Sequence, residues 1–275
     1  MSDLAILDYS VYGNVIDAES DRLLAEAARR LGLRASVVPI APGSRPDPGA
    51  HVVWLRFDLR GPADLAWTVA TAHALRDAGH AVFPSPEAIL AAEDKWETFQ
   101  RLRAHGVPTP GTRLGSELHR LPLPAMLKPR VGWGGRDNHC VRDEPSRAAR
   151  AADAHDANIC QPFIPHTRTW VAAAAGGALV TALQERREWN AEVDFSREKA
   201  RIVSLPAEAR PLVFAALEAV GLVAGTVDLI ESEAGFQVLE VNAAPRIAYP
   251  RHPTIDLALP MVGAVIQSLE VSRCA

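Results

Sequence analysis

The chain contains the segment Thr226-Val-Asp-Leu-Ile-Glu-Ser-Glu-Ala-Gly-Phe-Gln-Val-Leu-Glu-Val-Asn242, which predicts two apolar strands joined by a tight turn. Gly235 suits a three-residue Glu-Ala-Gly turn, because such a turn needs one residue with positive φ. In that register Asp228 lies opposite Glu240, and Asn242 shares the face of Glu240 because strand side chains alternate. Two carboxylates and an amide so arranged predict a site for a hard cation such as Mg²⁺, although an exposed polar sheet face has the same pattern.

The composition indicates a globular protein without a polyanionic partner. The 275 residues are 48% hydrophobic and 23% charged, the net charge is −4, and the Lys and Arg residues are scattered. We therefore expect no nucleic-acid partner. The three cysteines form no CxxC pair, and the first twenty residues lack a basic and apolar leader, so we expect a cytoplasmic protein that does not bind a membrane. Assembly into a homo-oligomer is left open.

The chain before the hairpin divides into two parts with different patterns of predicted secondary structure. Strands and helices alternate as β-α-β-β-α-β over about the first 85 residues, which predicts a small parallel α/β domain. Ser85 then suits the cap of a helix. The later strands are short and separated by turns, with a helix at 145–154, which predicts an α+β half with antiparallel hairpins. We expect boundaries that give units at 1–84, 85–164 and 165–275.

Two upstream segments are candidates for binding phosphate. Lys128 ends a predicted strand and is followed by a glycine-rich loop with Gly132, Gly134 and Gly135. Such a loop can bring backbone N–H groups close to phosphate oxygens, although a flexible hairpin is the more common meaning of this pattern. Lys95 begins a predicted helix, where a cation opposes the helix dipole. A surface lysine is the ordinary explanation, and the poor fit to the dipole is a weak sign of function.

Three further polar residues follow the predicted strand at 178–184: Arg186, Arg187 and Asn190. They form either a charged strand end or a group that neutralises a transferring phosphoryl group. We call the predicted hairpin 226–242 the metal hairpin. Arg246, which follows it, is either a solvent-exposed loop residue or a group that recognises a substrate carboxylate. The histidines form no HExxH motif and no serine lies in a GxSxG context, so a metalloprotease or a serine hydrolase is poorly supported.

The order of these segments resembles the ATP-grasp superfamily, and within it the group of the ribosomal-protein S6 glutamate ligase and the amino-acid ligases. The matching segments run from Phe83 to the end of the chain. They are the opening segment from Phe83 through Lys95 to Thr112, the phosphate hairpin Ala125-Met-Leu-Lys-Pro129, the hinge strand Ile159-Cys-Gln-Pro-Phe-Ile164, and the metal motif of Asp228 with Glu240-Val-Asn242. The resemblance implies an α/β N-terminal domain followed by an α+β ATP-grasp fold of two lobes.

The resemblance also implies cofactors and roles for individual residues. The cofactors are ATP and one or two Mg²⁺ ions, with Mn²⁺ as an alternative. The implied nucleotide-binding residues contact the phosphates and the adenine: Lys95, Lys128, Gly132, Gly134, Gly135, Gln161, Pro162, Phe163, Ile164 and Leu239. The implied metal ligands are Asp228, Glu240 and Asn242. The implied catalytic residues are Arg186, Arg187 and Asn190, and the candidate substrate residues are Arg168 and Arg246.

The function that the resemblance implies is that of an ATP-dependent carboxylate–amine ligase. A carboxylate takes the γ-phosphoryl group of ATP to give an acyl phosphate and ADP, and an amine then displaces phosphate. The expected partners are small-molecule or peptide carboxylates and amines. One alternative is a kinase of the same fold that phosphorylates a small molecule and needs no amine. Another is a nucleotide-binding protein without turnover, whose ATP binding would survive substitution of Asp228 or Glu240.

Overall fold

The structure of the chain is a computed structural model that describes residues 3–9, 15–132, 134–166, 168–186, 200–249 and 251–274. Within these ranges thirteen strands form three separate sheets. No helix in the same ranges has both the length and the apolar character needed to cross a bilayer.

The first sheet is entirely parallel and is built from the start of the chain. Its elements are β1 (Asp3–Tyr9), α1 (Val15–Arg30), β2 (Arg34–Pro39), β3 (Val52–Phe57), α2 (Pro62–Asp77) and β4 (Ala81–Phe83). The strand order is β2-β1-β3-β4, which confirms the predicted β-α-β-β-α-β unit. Strand β3 is buried along nearly its whole length, as expected for a central parallel strand covered on both faces. We call β1–β4 with α1 and α2 the parallel unit.

Two consecutive helices follow, α3 (Pro86–Glu93) and α4 (Lys95–Ala104). Ser85 caps α3 as predicted, because its side chain accepts the backbone N–H of Ala88 at 3.1 Å. Asp94 separates the helices and caps α4 by accepting the N–H of Trp96 at 2.9 Å. This second cap fixes the helix start that carries Lys95.

The second sheet is antiparallel and has the order β5-β8-β6-β7. Its elements are β5 (Arg113–Leu114), a 3₁₀ helix (Gly115–Arg120), β6 (Ala125–Pro129), β7 (His139–Val141), α5 (Glu144–Ala149) and β8 (Asn158–Pro162). Helix α5 is shorter than the predicted 145–154. A capping box of Asp143 and Ser146 starts it, but none of its residues is buried, so no core contact stabilises further turns.

The third sheet is also antiparallel and contains the metal hairpin of the sequence analysis. Its elements are β9 (Arg168–Ala175), β10 (Ala178–Arg186), β11 (Arg201–Ile202), α6 (Arg210–Val220), β12 (Ala224–Ser232), β13 (Gly235–Asn242) and α7 (Ala258–Cys274). The strand order is β11-β10-β9-β12-β13. The largest core joins this sheet to the parallel unit, with Leu24 and Trp54 in the same cluster as Val227, Val238 and Met261. Helix α1 packs directly on α7.

Candidate nucleotide and metal site

A cavity of about 380 Å³ lies where the three sheets approach one another. Its walls come from the carboxyl ends of β1 and β3, from β6 and β8, and from β12 and β13. A cavity of this size with a few convergent polar groups is the usual form of a small-molecule site. Most of the residues singled out from the sequence line it, namely Lys95, Lys128, Gly134, Gly135, Gln161, Pro162, Phe163, Ile164, Asp228, Leu239, Glu240, Asn242 and Arg246.

The three oxygen-bearing side chains of the hairpin face this cavity together. Asp228 pairs with Glu240 across β12 and β13, and Thr226 pairs with Asn242, which is the predicted register. The described residues contain no group of three or more His, Cys, Asp or Glu side chains that could hold a metal by themselves. Two carboxylates and an amide suit a hard divalent ion whose remaining ligands are phosphate oxygens and water.

The route to that register differs from the prediction. Ser232 pairs with Gly235, so the turn contains two residues and the predicted three-residue turn is wrong in length. A regular ladder from this shorter turn would set Asp228 opposite Leu239. A β-bulge beside Asp228 adds one residue to β13 and restores the pairing of Asp228 with Glu240. Because a bulge turns two successive residues toward one side, Leu239 and Glu240 both line the cavity.

Lys128 is held in place by a chain of hydrogen bonds inside the second sheet. Its Nζ donates to Gln161 Oε1 at 2.8 Å, and Gln161 Nε2 donates to Thr112 Oγ1 at 2.8 Å. The Thr112 hydroxyl donates to the carbonyl of Pro110 at 2.9 Å. Gln161 is buried, and its side-chain contacts fix the lysine, while its role at the adenine edge stays a prediction. Desolvation lowers the pKa of Lys128 to about 8, with the charge of Glu240 opposing this shift.

Lys95 connects helix α4 to the glycine loop, which we define as residues 130–138. Its Nζ donates to the carbonyl of Gly132 at 2.6 Å, and its backbone N–H donates to the carbonyl of Arg130 at 2.9 Å. Gly134 and Gly135 have φ values of 68° and 65°, which residues with a Cβ adopt at a cost. These two glycines line the cavity, whereas Gly132 is not among the lining residues and contacts Lys95 through its carbonyl.

The arginines predicted to contact substrate or phosphate lie in different surroundings. Arg246 lines the cavity. Arg168 is absent from the described lining, and its Nη1 contacts Glu231 Oε1 at 2.7 Å. Arg186 ends β10, but its side chain lies outside the described residues, as do Arg187 and Asn190.

Glu93, the last residue of α3, was missed by the sequence analysis. It lines the cavity, and its Oε1 accepts the backbone N–H of Ala243 at 3.1 Å. Burial raises the pKa of Glu93 to about 7. The hydrogen bond from Ala243 lowers this pKa, whereas the nearby charge of Glu240 raises it. The available signal was an acidic residue in the last turn of a helix, where it opposes the helix dipole.

Lysines, a glycine loop and a carboxylate pair around one cavity define a site of the nucleotide-phosphate class. The family model for the ATP-grasp domain matches residues 92–249, and the chain belongs to this ATP-grasp family. Membership implies ATP binding and the use of a divalent metal ion. The carboxylates Asp228 and Glu240 and the lysines Lys95 and Lys128 all lie within the matched range.

Individual relatives agree with this assignment. A Haemophilus influenzae protein named "Probable alpha-L-glutamate ligase" is 31% identical over 176 residues, which are 58% of this chain and 58% of that protein. The match therefore spans less than two thirds of that relative. A RimK domain ATP-grasp protein from Sphaerobacter thermophilus has a TM-score of 0.71 and 20% identity, covering 96% of this chain and 99% of that one. D-alanine–D-alanine ligase from Bacillus anthracis has a TM-score of 0.74 and 15% identity, covering 99% and 100%.

The affinity for nucleotide is expected to fall as the pH rises through about 8. Lys128 is charged below its lowered pKa of about 8 and neutral above it. Bound phosphate favours the charged form and raises the pKa of Lys128 in the complex. Between the pKa of the free protein and the higher pKa of the complex, each pH unit therefore weakens binding by up to about tenfold. The Kd of a non-hydrolysable ATP analogue, measured by calorimetry between about pH 7.5 and 9.5, tests this. Lys128→Arg keeps its charge throughout this range. Its Kd should stay flat, and a flat wild-type profile would contradict the prediction.

Proposed function

We propose that this chain is an ATP-dependent carboxylate–amine ligase that forms an amide or peptide bond through an acyl phosphate. The observation that carries the proposal is the composition of the cavity beyond the metal hairpin. Asp8 and Asp58, at the carboxyl ends of β1 and β3, line the same space as Arg246. Charged groups of both signs next to a nucleotide site suit a pair of substrates of which one is an anion and the other an amine.

The nucleotide would occupy the side of the cavity formed by the second and third sheets. Its phosphates would meet Lys95, Lys128 and the backbone N–H groups of the glycine loop, and its adenine would lie by Phe163 and Leu239. We propose Mg²⁺ as the divalent ion, with Mn²⁺ as a substitute, held by Asp228, Glu240 and Asn242. When bound, the ion would neutralise phosphate charge, and the carboxylates would fix where that neutralisation acts.

The proposed chemistry has two steps, and neither requires a protein nucleophile. In the first, a carboxylate oxygen of the substrate attacks the γ-phosphorus, the bond from that phosphorus to the bridging oxygen breaks, and ADP leaves. In the second, an amine attacks the acyl carbon, inorganic phosphate leaves, and the nitrogen loses a proton. The side chains contribute orientation and charge neutralisation. The glycine loop would cover the acyl phosphate and exclude water.

The relatives support an amino acid as one of the two substrates. The Haemophilus influenzae protein is named a glutamate ligase, and the Bacillus anthracis protein of the same fold joins two alanines by name. An α-amino acid carries both a carboxylate and an amine, which matches the mixed charge of Asp8, Asp58 and Arg246 along the cavity. Amino acids are therefore the first compounds to test, alone and with other carboxylates.

Release of ADP and phosphate from Mg·ATP, measured with pooled amino acids and candidate carboxylates, tests the proposal. We expect release only when a carboxylate and an amine are both present. Hydroxylamine added with the carboxylate alone should give a hydroxamate, because it captures an acyl phosphate. A phosphorylated product that forms without an amine and resists hydroxylamine would favour the kinase alternative. Tight nucleotide binding with release at background for every pair would favour a protein without turnover.

A further inference from the structure

The metal hairpin is followed by a segment of irregular backbone that is nonetheless largely buried. We call residues 243–249 the post-metal loop. It belongs to no helix or strand, yet Ala243, Pro245, Ile247 and Ala248 are buried. Buried backbone groups need hydrogen-bond partners, and a loop cannot supply them from a regular ladder. The carbonyl of Tyr249 accepts the backbone N–H of His252 at 2.8 Å, and side chains elsewhere in the fold bind several of the other groups.

Three side chains distant in sequence provide those partners. Glu93 accepts the N–H of Ala243. Arg56 at the end of β3 donates from Nη1 to the carbonyl of Pro245 at 2.7 Å. Ser20 on α1 accepts, through its hydroxyl oxygen, the N–H groups of Ile247 at 3.1 Å and Ala248 at 3.0 Å. Two of these side chains, Ser20 and Arg56, belong to the parallel unit.

Burying the charged side chain of Arg56 costs free energy on folding. It is only 4% exposed and lies in a strand whose preceding four residues are all buried and apolar. Its Nε contacts Asp21 Oδ1 at 3.0 Å, and Asp21 is 1% exposed. A buried ion pair is weak evidence for stability, because desolvation offsets most of the attraction. Here the pair uses Nε of Arg56 and leaves Nη1 to bind the post-metal loop. Arg56, which also lines the cavity, is thus bound to Asp21 while it binds the post-metal loop.

The contacts from Ser20 and Arg56 fall on the two sides of Arg246. The carbonyl of Pro245 and the N–H of Ile247 belong to the two peptide groups that flank this residue. Along the loop, Pro245 and Ile247 are buried, whereas Arg246 is only partly buried and lines the cavity. Holding both flanking peptides therefore fixes the direction in which the Arg246 side chain leaves the backbone.

We propose that Ser20 and Arg56 are positioning residues that aim Arg246 at the substrate beyond the metal site. The inference rests on the proposed function in one respect, that Arg246 meets the anionic group of a substrate. It assigns the parallel unit a defined task, which is to set the affinity for that substrate. Binding of the nucleotide, which uses the second and third sheets, does not depend on these contacts.

The structural half of the proposal is tested without any substrate. Hydrogen–deuterium exchange of peptides covering 243–249 should be at least about tenfold faster in Ser20→Ala, because Ile247 and Ala248 lose their acceptor. Arg56→Met should accelerate the same peptides, and Arg56→Lys should restore part of the protection. Arg76→Met is the matched control, since Arg76 lies in α2 of the same unit and its substitution removes an exposed ion pair with Glu87 of α3. Unchanged exchange in Ser20→Ala, or equal acceleration across β12 and β13, overturns the proposal.

The functional half uses whichever carboxylate and amine stimulate ADP release. For Ser20→Ala and Arg56→Met we expect the KM of the anionic substrate to rise by about tenfold, with the Kd of a non-hydrolysable ATP analogue unchanged. In an Arg246→Ala background the same substitutions should have no further effect, because their target is gone. Additive losses, or an equal loss of nucleotide affinity, would refute the positioning role. If no substrate pair is found, the exchange experiment still decides whether these residues hold the loop.

Discussion

Asp228→Asn is expected to lower Mg²⁺-dependent ADP release by at least about 100-fold, and Glu240→Gln by a similar factor. Each substitution keeps the size of the side chain and removes one negative charge from the pair that faces the cavity. A divalent ion held by two carboxylates and an amide then loses half of the negative charge that the protein supplies to it. The phosphates in turn lose the neutralisation that the reaction requires. Initial rates of ADP release over a range of Mg²⁺ concentrations provide the measurement.

Glu233→Gln provides the matched control for this pair. Glu233 lies on the same hairpin, but it is exposed in the turn between β12 and β13. Its substitution removes the same charge from the same segment and should leave both the rate and the Mg²⁺ dependence within about twofold. Nucleotide binding and ADP release that survive in Asp228→Asn would contradict the metal assignment and favour a different set of ligands.

The parallel unit was predictable because its signals are local. Alternation of apolar segments defines its strands and helices, and the start of the next helix along the chain, α3, is marked by the single residue Ser85. Gly79, after α2, adopts a φ of 90°, as glycine commonly does at the end of a helix. Helix α5 was overestimated because an alanine-rich pattern gives the propensity for a helix but does not show whether any face will be buried.

The pairing of Asp228 with Glu240 was predicted correctly, whereas the length of the turn before it was not. Alternation alone places Leu239 and Glu240 on opposite faces of β13, yet both line the cavity. The bulge that causes this follows from a two-residue turn combined with the pairing of Asp228 and Glu240. A bulge has no reliable local signature where the bulged residue is not glycine, so the sequence does not reveal how an apolar contact and a carboxylate come to share one side.

The contacts that hold the site together could not be predicted from local sequence patterns. Arg56 and Pro245 are 189 residues apart, and Ser20 and Ile247 are 227 residues apart. Only the packing of the parallel unit on the third sheet brings them together, and no spacing rule in a single sequence encodes that packing. The one usable clue was Arg56 itself, a charged residue inside an apolar strand, because such a residue needs a buried partner.

Asp94→Ala is expected to lower the free energy of unfolding by about 2–3 kcal/mol, because Asp94 serves two structures at once. It caps α4, and its two carboxylate oxygens bind Arg130 at 3.0 Å from Nε and 2.6 Å from Nη2. A cap contributes about 1 kcal/mol, and a charge-assisted pair with a partly exposed arginine adds about 1–2 kcal/mol. Urea-induced unfolding of the purified variants measures the loss.

The same substitution should weaken binding of a non-hydrolysable ATP analogue by about tenfold. Arg130 begins the glycine loop and its carbonyl accepts the N–H of Lys95. The pair of Asp94 and Arg130 therefore aligns Lys95, which we propose binds phosphate, with the loop opposite it. Asp94→Asn keeps one oxygen that can accept the N–H of Trp96 and of Arg130 Nε, while its amide nitrogen cannot accept from Nη2, so it should lose less stability and less affinity than Asp94→Ala. If Asp94→Ala unfolds more easily but binds the analogue normally, the ion pair supports the fold alone, and the alignment of Lys95 must come from its contact with Gly132.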